Sequence, residues 1–94
     1  MTGQIQAYKT LVDSFLKGEM SAESFQDKYL KMVQADEALY EGDIGLVIDE
    51  LFADVDAFTR DPELLSEEPD FYLDEQRLRE KARIAAHRFA GVTS

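Results

Sequence analysis

Apolar positions recur with a helical period in four stretches of the chain, and no stretch alternates as a half-buried strand would. The first runs from about Gln4 to Lys17, with Ile5, Tyr8, Leu11, Val12, Phe15 and Leu16 on one face. Gly18 stands where a stop is expected. The second opens after Ser21, a favourable N-cap, carries Ala22, Phe25, Tyr29, Met32 and Val33, and fades near Ala38. Leu30 falls off that stripe, as a lone exposed leucine. The third takes Asp43 as its cap; Ile44, Val47, Ile48, Leu51, Val55 and Phe58 share one arc, with Phe52 on its edge. Asp61-Pro62 interrupts it, because proline disfavours helix at the residue before it. The fourth follows Asp74, with Glu75 at the positive end of its dipole, buries Leu78, Ala82, Ala85 and Phe89, and ends at Gly91.

Residues 61 to 73 form the longest stretch without a period, and so the best place for a binding surface. Within it Phe71 is expected to staple the last helix to the core. Tyr72, set among polar groups, is the interface candidate. Four amphipathic helices with short joins predict an all-α fold, a compact antiparallel four-helix bundle forming one domain over residues 1–94.

Composition narrows the class. A hydrophobic fraction of 45% with six Phe and four Tyr is enough for a core, which argues against a disordered acidic tail. No apolar run is long enough to span a bilayer, and MTGQIQAYK lacks the basic and apolar regions of a signal peptide, so a cytoplasmic location is expected. The absence of Cys fits that location, as it would a cysteine-free secreted protein, and excludes disulfides, thiolate zinc sites and a cysteine nucleophile.

The net charge of −10 argues against direct contact with nucleic acid or an anionic membrane, and favours either a basic partner or simply high solubility. Its distribution says more. Residues 1–35 are neutral overall, residues 36–75 hold fifteen acids against Arg60 alone, and residues 76–94 are net +4. Like charges four apart on a helix, such as Glu50 and Asp54, cost roughly 0.2–0.5 kcal/mol per pair. Concentrating acid therefore works against local stability, which points to a functional reason. On a helical wheel with Ile44 at zero, Asp49 and Asp56 lie near about 140° and 120°, and Asp43, Glu50 and Asp54 near about 260°, 240° and 280°. The acids thus flank the apolar arc on both sides. A solvated helix edge accounts for any one of them; the cluster reads better as a binding surface. The bases of the fourth helix sit toward its negative end, Glu75 and Arg79 are four apart, and these bases also have acids of the third helix within prospective reach.

Enzymatic chemistry finds no support. A di-iron carboxylate bundle needs two E-x-x-H motifs, and the chain has one His, His87, on the solvent side with Ile84 three residues before it. DVDAFTRDPELL begins like a calcium loop, but Phe58 falls at a ligand position and the glycine required next is absent. Asp54 and Asp56 point to opposite flanks of a helix, which does not suit a catalytic pair. No phosphate-binding glycine loop and no nucleophile–histidine arrangement is present. No cofactor is expected.

A short helix ending FLKGEMSAESFQDKYLKM, then IDELFADVDAF, then RDPEL, an acidic loop, and a last helix beginning LDEQRLREKA together resemble the bacterial self-protective colicin-like immunity proteins of the colicin D type. The resemblance spans roughly Tyr8 to Phe89. It implies a four-helix bundle that binds the nuclease domain of a toxin made by the same cell, a tRNA-cleaving one in the colicin D case, and blocks its active site with acidic side chains. The positions that match those acids are Asp56 and Asp61; Thr59 and Arg60 stand between them where the pattern leads one to expect more acid. The expected toxin contacts are Asp49, Asp54, Asp56, Asp61 and Glu63, with Tyr72 as an aromatic anchor, in a one-to-one complex of a monomer. Two rival readings stay open on sequence: a small acidic adaptor that binds another basic protein, and a carboxylate metal site between helices.

Overall fold

A computed structural model describes residues 5–36, 40 and 42–93, with the side chains of 92 and 93 excepted. The described residues form five helices: α1 (Ile5–Leu16), α2 (Ala22–Ala35), α3 (Gly42–Asp56), α4 (Pro62–Glu67) and α5 (Glu75–Thr93). The four longer helices pack in a closed order, α1 against α2 and α5, and α3 against α2 and α5. The molecule measures 43 × 24 × 23 Å.

The predicted stripes are the core. Tyr8, Leu11, Val12 and Phe15 of α1, Ala22, Phe25 and Tyr29 of α2, Ile44, Val47, Ile48, Leu51 and Val55 of α3, and Leu78, Ala82, Ala85 and Phe89 of α5 are all buried. Phe15 and Phe25 stack in parallel with ring centroids 4.3 Å apart, which locks α1 to α2. Tyr29 is buried with them and donates its hydroxyl to the Ile48 carbonyl at 3.0 Å, so its one polar atom is satisfied inside the core. Leu30 packs against this core half-buried; it is not the exposed leucine the stripe suggested.

Local chemistry sets the ends. Gly18, at φ +80°, closes α1: its N–H donates to Phe15 and the Glu19 N–H to Ser14, both at 3.0 Å, the paired bonds of a left-handed C-terminal cap. Ser21 caps α2 by accepting from the Ser24 N–H at 3.1 Å. Asp74 caps α5 through the Arg77 N–H at 2.9 Å.

Three expectations about helix ends need correction. The helix α3 starts at Gly42, which has φ +66°, so Asp43 lies in the first turn and is not the cap. Gly91 does not stop the last helix, which continues to Thr93. The segment expected to be irregular contains α4, because Pro62 sits at its first turn, where no N–H is needed, and Asp61 caps it by accepting from the Glu63 N–H at 2.9 Å. The helix α2 ends at Ala35; the fade expected near Ala38 lies outside the described residues.

After α3 the chain runs extended and forms an isolated parallel bridge between Phe58 and Leu73. Thr59 N–H donates to Leu73 and Leu73 N–H to Ala57, each at 3.0 Å. This bridge ties the two ends of the α4 segment together beside the end of α3.

Candidate functional site

The end of α3 is held from three sides. The Gln26 side-chain amide donates to the carbonyls of Val55 at 3.0 Å and Phe58 at 3.2 Å, so α2 satisfies acceptors that the helix end leaves open. The bridge to Leu73 holds the second side. Arg60 holds the third: its guanidinium forks onto Glu23 of α2, with one contact at 3.1 Å, and reaches Glu75 of α5 at 2.5 Å. Arg60 holds the carboxyls of Glu23 and Glu75 below the ordinary carboxylate range. The one base of the acidic middle segment therefore serves as a structural tie.

Three of the bases of α5 are similarly occupied. Arg79 lies over the Phe15 ring at 4.5 Å, donates to the Phe15 carbonyl at 3.1 Å, and pairs with Glu75 at 3.3 Å. Arg88 pairs with Glu50 across the α3–α5 contact, as the placement of bases opposite helix-three acids had suggested. Arg77 donates to the Pro69 carbonyl at 2.7 Å.

The predicted site residues occupy three places. Asp54 is half-buried on the flank of α3 that faces α5, and Asp56 is exposed at the end of the helix. The two line one hollow of about 330 Å³ together with Ala53, Ala57, Asp70, Phe71, Leu73 and Lys81. Burial raises the Asp54 carboxyl above its ordinary range, with Lys81 opposing that and Glu50 adding to it. Asp49 lies apart, exposed in a second hollow with Tyr8, Asp36 and Tyr40. There Tyr8 and Tyr40 both donate to one Asp36 oxygen, at 3.0 and 2.7 Å, and burial followed by that contact pushes the Tyr40 hydroxyl up to about 12. Asp61 and Glu63 lie at the start of α4, both exposed.

Phe71 is not the staple to the core that the sequence suggested. Phe71 is 60% exposed, while Tyr72 is half-buried against it with ring centroids 4.8 Å apart. Leu73 enters the core instead. The reason is the turn at 68–71: Phe71 and Tyr72 N–H groups both close on the Glu68 carbonyl, so the chain is still turning at Phe71 and straightens only at the bridge. The sequence reading also missed Asp70 and Gln26, whose neighbours lie far along the chain and leave no local signal.

Among the described residues no three His, Asp or Glu side chains converge as a metal-binding group, and no helix is long and apolar enough to cross a membrane. His87 is exposed. The chain matches the family model for bacterial self-protective colicin-like immunity over residues 3–89, and it belongs to that family. No curated protein and no solved structure gave a significant match. Membership implies a self-protective immunity protein whose partner is a cognate toxin protein, in a family that is in general not enzymatic.

Proposed function

We propose that this protein neutralises a nuclease toxin, of the tRNA-cleaving kind, by covering the toxin's basic active site with its own carboxylates in a one-to-one complex. The concentration of fifteen acids in residues 36–75, with their single base tied to Glu23 and Glu75, carries this reading. A nuclease that grips phosphates exposes Lys, Arg and His. Carboxylates fixed along a helix end present acceptors to those groups as an RNA backbone would. Asp54, Asp56, Asp61 and Glu63 serve this role at the α3–α4 edge, with Asp49 on the adjoining flank and Tyr72 supporting the aromatic surface. Long-range charge complementarity speeds encounter and selects the partner more than it adds affinity. Speed matters for an inhibitor that must act before the toxin cuts.

The test is rescue. The toxic domain of the toxin encoded beside this chain is expressed in a test bacterium with and without it, and survivors are counted. Survival together with co-purification of a one-to-one pair is the expected result. A domain that kills equally in both strains would overturn the proposal. The double charge reversal Asp56→Lys and Glu63→Lys, which spares the Asp61 cap of α4, should abolish rescue while leaving helicity unchanged; full rescue by that variant would remove these residues from the interface. Cleavage of purified tRNA by the toxin, with and without the immunity protein, tests the substrate class.

A further inference from the structure

The hollow between the end of α3 and the turn before α5 has a make-up that acid alone does not explain. Its floor is apolar, from Ala57 and Leu73, and both are buried. One wall is the ring of Phe71, exposed although the chain buries its other phenylalanines or half-buries them. The rim carries Asp56 and Asp70, neither of which takes part in an ion pair among the described residues. On the opposite rim Lys81 faces Asp54.

We infer that this hollow receives one long basic side chain of the toxin, an arginine or a lysine, and that Phe71 and Asp70 are its principal contacts. The inference rests on the immunity reading and deepens it. An arginine or lysine is apolar along its stem and charged at its head, so it needs a greasy channel that ends in acceptors. The floor supplies the channel. Asp56 and Asp70 supply the acceptors, and charge-assisted hydrogen bonds to them are the stronger kind. The Phe71 face adds the attraction of a ring for a cation. Charge complementarity selects this occupant: a purely apolar side chain would leave both carboxylates without a partner, and an acidic one would be repelled. Lys81, the base on the rim, works against a basic guest, so removing its charge should help binding.

The experiment is calorimetric titration of the intact chain with the adjacent-encoded toxin domain, inactivated at its catalytic centre. Phe71→Ala and Asp70→Asn should each weaken binding about tenfold or more, as truncation of a central anchor does. Phe71→Tyr should keep most of the affinity, and Lys81→Met should raise it severalfold. Asp43→Asn, at the other end of α3, removes the same charge and should change little. Helicity of each variant is checked first; Phe71 and Asp70 are exposed, so folding is expected to survive. If the wild type binds no toxin, the immunity reading falls and this inference with it. If the wild type binds and Phe71→Ala and Asp70→Asn match Asp43→Asn, the inference alone is overturned. Weaker binding by Lys81→Met would mean an acidic guest and would overturn it too. Sedimentation of the free chain covers the remaining occupant: a dimer dissolved by Phe71→Ala, with toxin affinity unchanged, would assign the hollow to a second copy.

Discussion

Replacing Gln26 tests how the binding edge is held. Its amide nitrogen donates to the Val55 and Phe58 carbonyls, and Val55 also accepts from the Phe58 N–H at 3.2 Å. Gln26→Met keeps the length of the side chain and removes both bonds. Each such bond contributes about 0.5–1.5 kcal/mol net, so the loss is about 1–2 kcal/mol with one acceptor still partnered. For a domain of this size 1 kcal/mol moves Tm by about 4–8 °C, so Tm should fall by about 5–15 °C. Gln26→Glu should cost more at neutral pH, because a carboxylate only accepts and would face two carbonyl oxygens. That penalty has a definite pH sign. Once protonated, the introduced carboxyl can donate again, so its folded-state pKa would rise above the unfolded value of about 4.3. The penalty is therefore complete above the folded pKa and shrinks as pH falls toward the unfolded one. Circular dichroism melts of wild type, Gln26→Met and Gln26→Glu from pH 7 to pH 4 make the comparison. A Gln26→Glu deficit that stays constant across that range, or a Gln26→Met melt equal to wild type, would refute the role assigned to this amide.

Glycine substitutions should split in sign. A Cβ at Gly45 would collide with the Tyr40 carbonyl oxygen, so Gly45→Ala should destabilise by about 1–3 kcal/mol in denaturant titrations, whereas Gly91→Ala, with open space around it, should stabilise by up to about 1 kcal/mol. Asp54→Asn removes a carboxylate that burial disfavours, so it should raise Tm slightly at neutral pH while weakening the toxin complex. Glu23 and Glu75 have depressed pKa values, so their stabilising contribution is present above the ordinary value of 4.5 and is lost as pH falls through the folded-state values; Arg60→Gln should flatten that part of the acid profile, measured as urea midpoint against pH. Phe15→Ala empties half of the ring stack with Phe25 and should cost about 3–5 kcal/mol, a large share of the about 5–15 kcal/mol that holds a domain folded, read as a lowered urea midpoint.

The four long helices and their buried faces were readable because a packed helix writes its contact face into the sequence every three to four residues. Tyr8, Phe25, Leu51 and Phe89 were assigned to the core on that ground, and all are buried. The short helix α4 was not readable, since it has no buried residue to leave a period, and Pro62 marks an ending as readily as a beginning. The exchange of Phe71 and Leu73 escaped for a different reason. Which of two nearby apolar residues enters the core depends on where the turn at Glu68 releases the chain, and that is fixed by the bridge to Phe58, fifteen residues upstream. The acids of α3 were legible as charge. Their division between the α5-facing hollow and the flank beside Asp36 was not, because it depends on what packs against each side.

The bridge between Phe58 and Leu73 also bears on how such a protein changes over time. It pins both ends of the α4 segment at one place, and nothing within α4 is buried. Beyond the Arg60 tie to Glu23 and Glu75, the residues of α4 are therefore held little by the core. A lineage can rewrite that stretch, lengthen it or exchange it whole, and the rest of the chain folds as before, since each doubling of a closed loop adds only about 0.6 kcal/mol. On the proposed reading, specificity for a new toxin is open to variation in α4 and its flanks, about twelve positions from 61 to 72 that lie past the Arg60 tie.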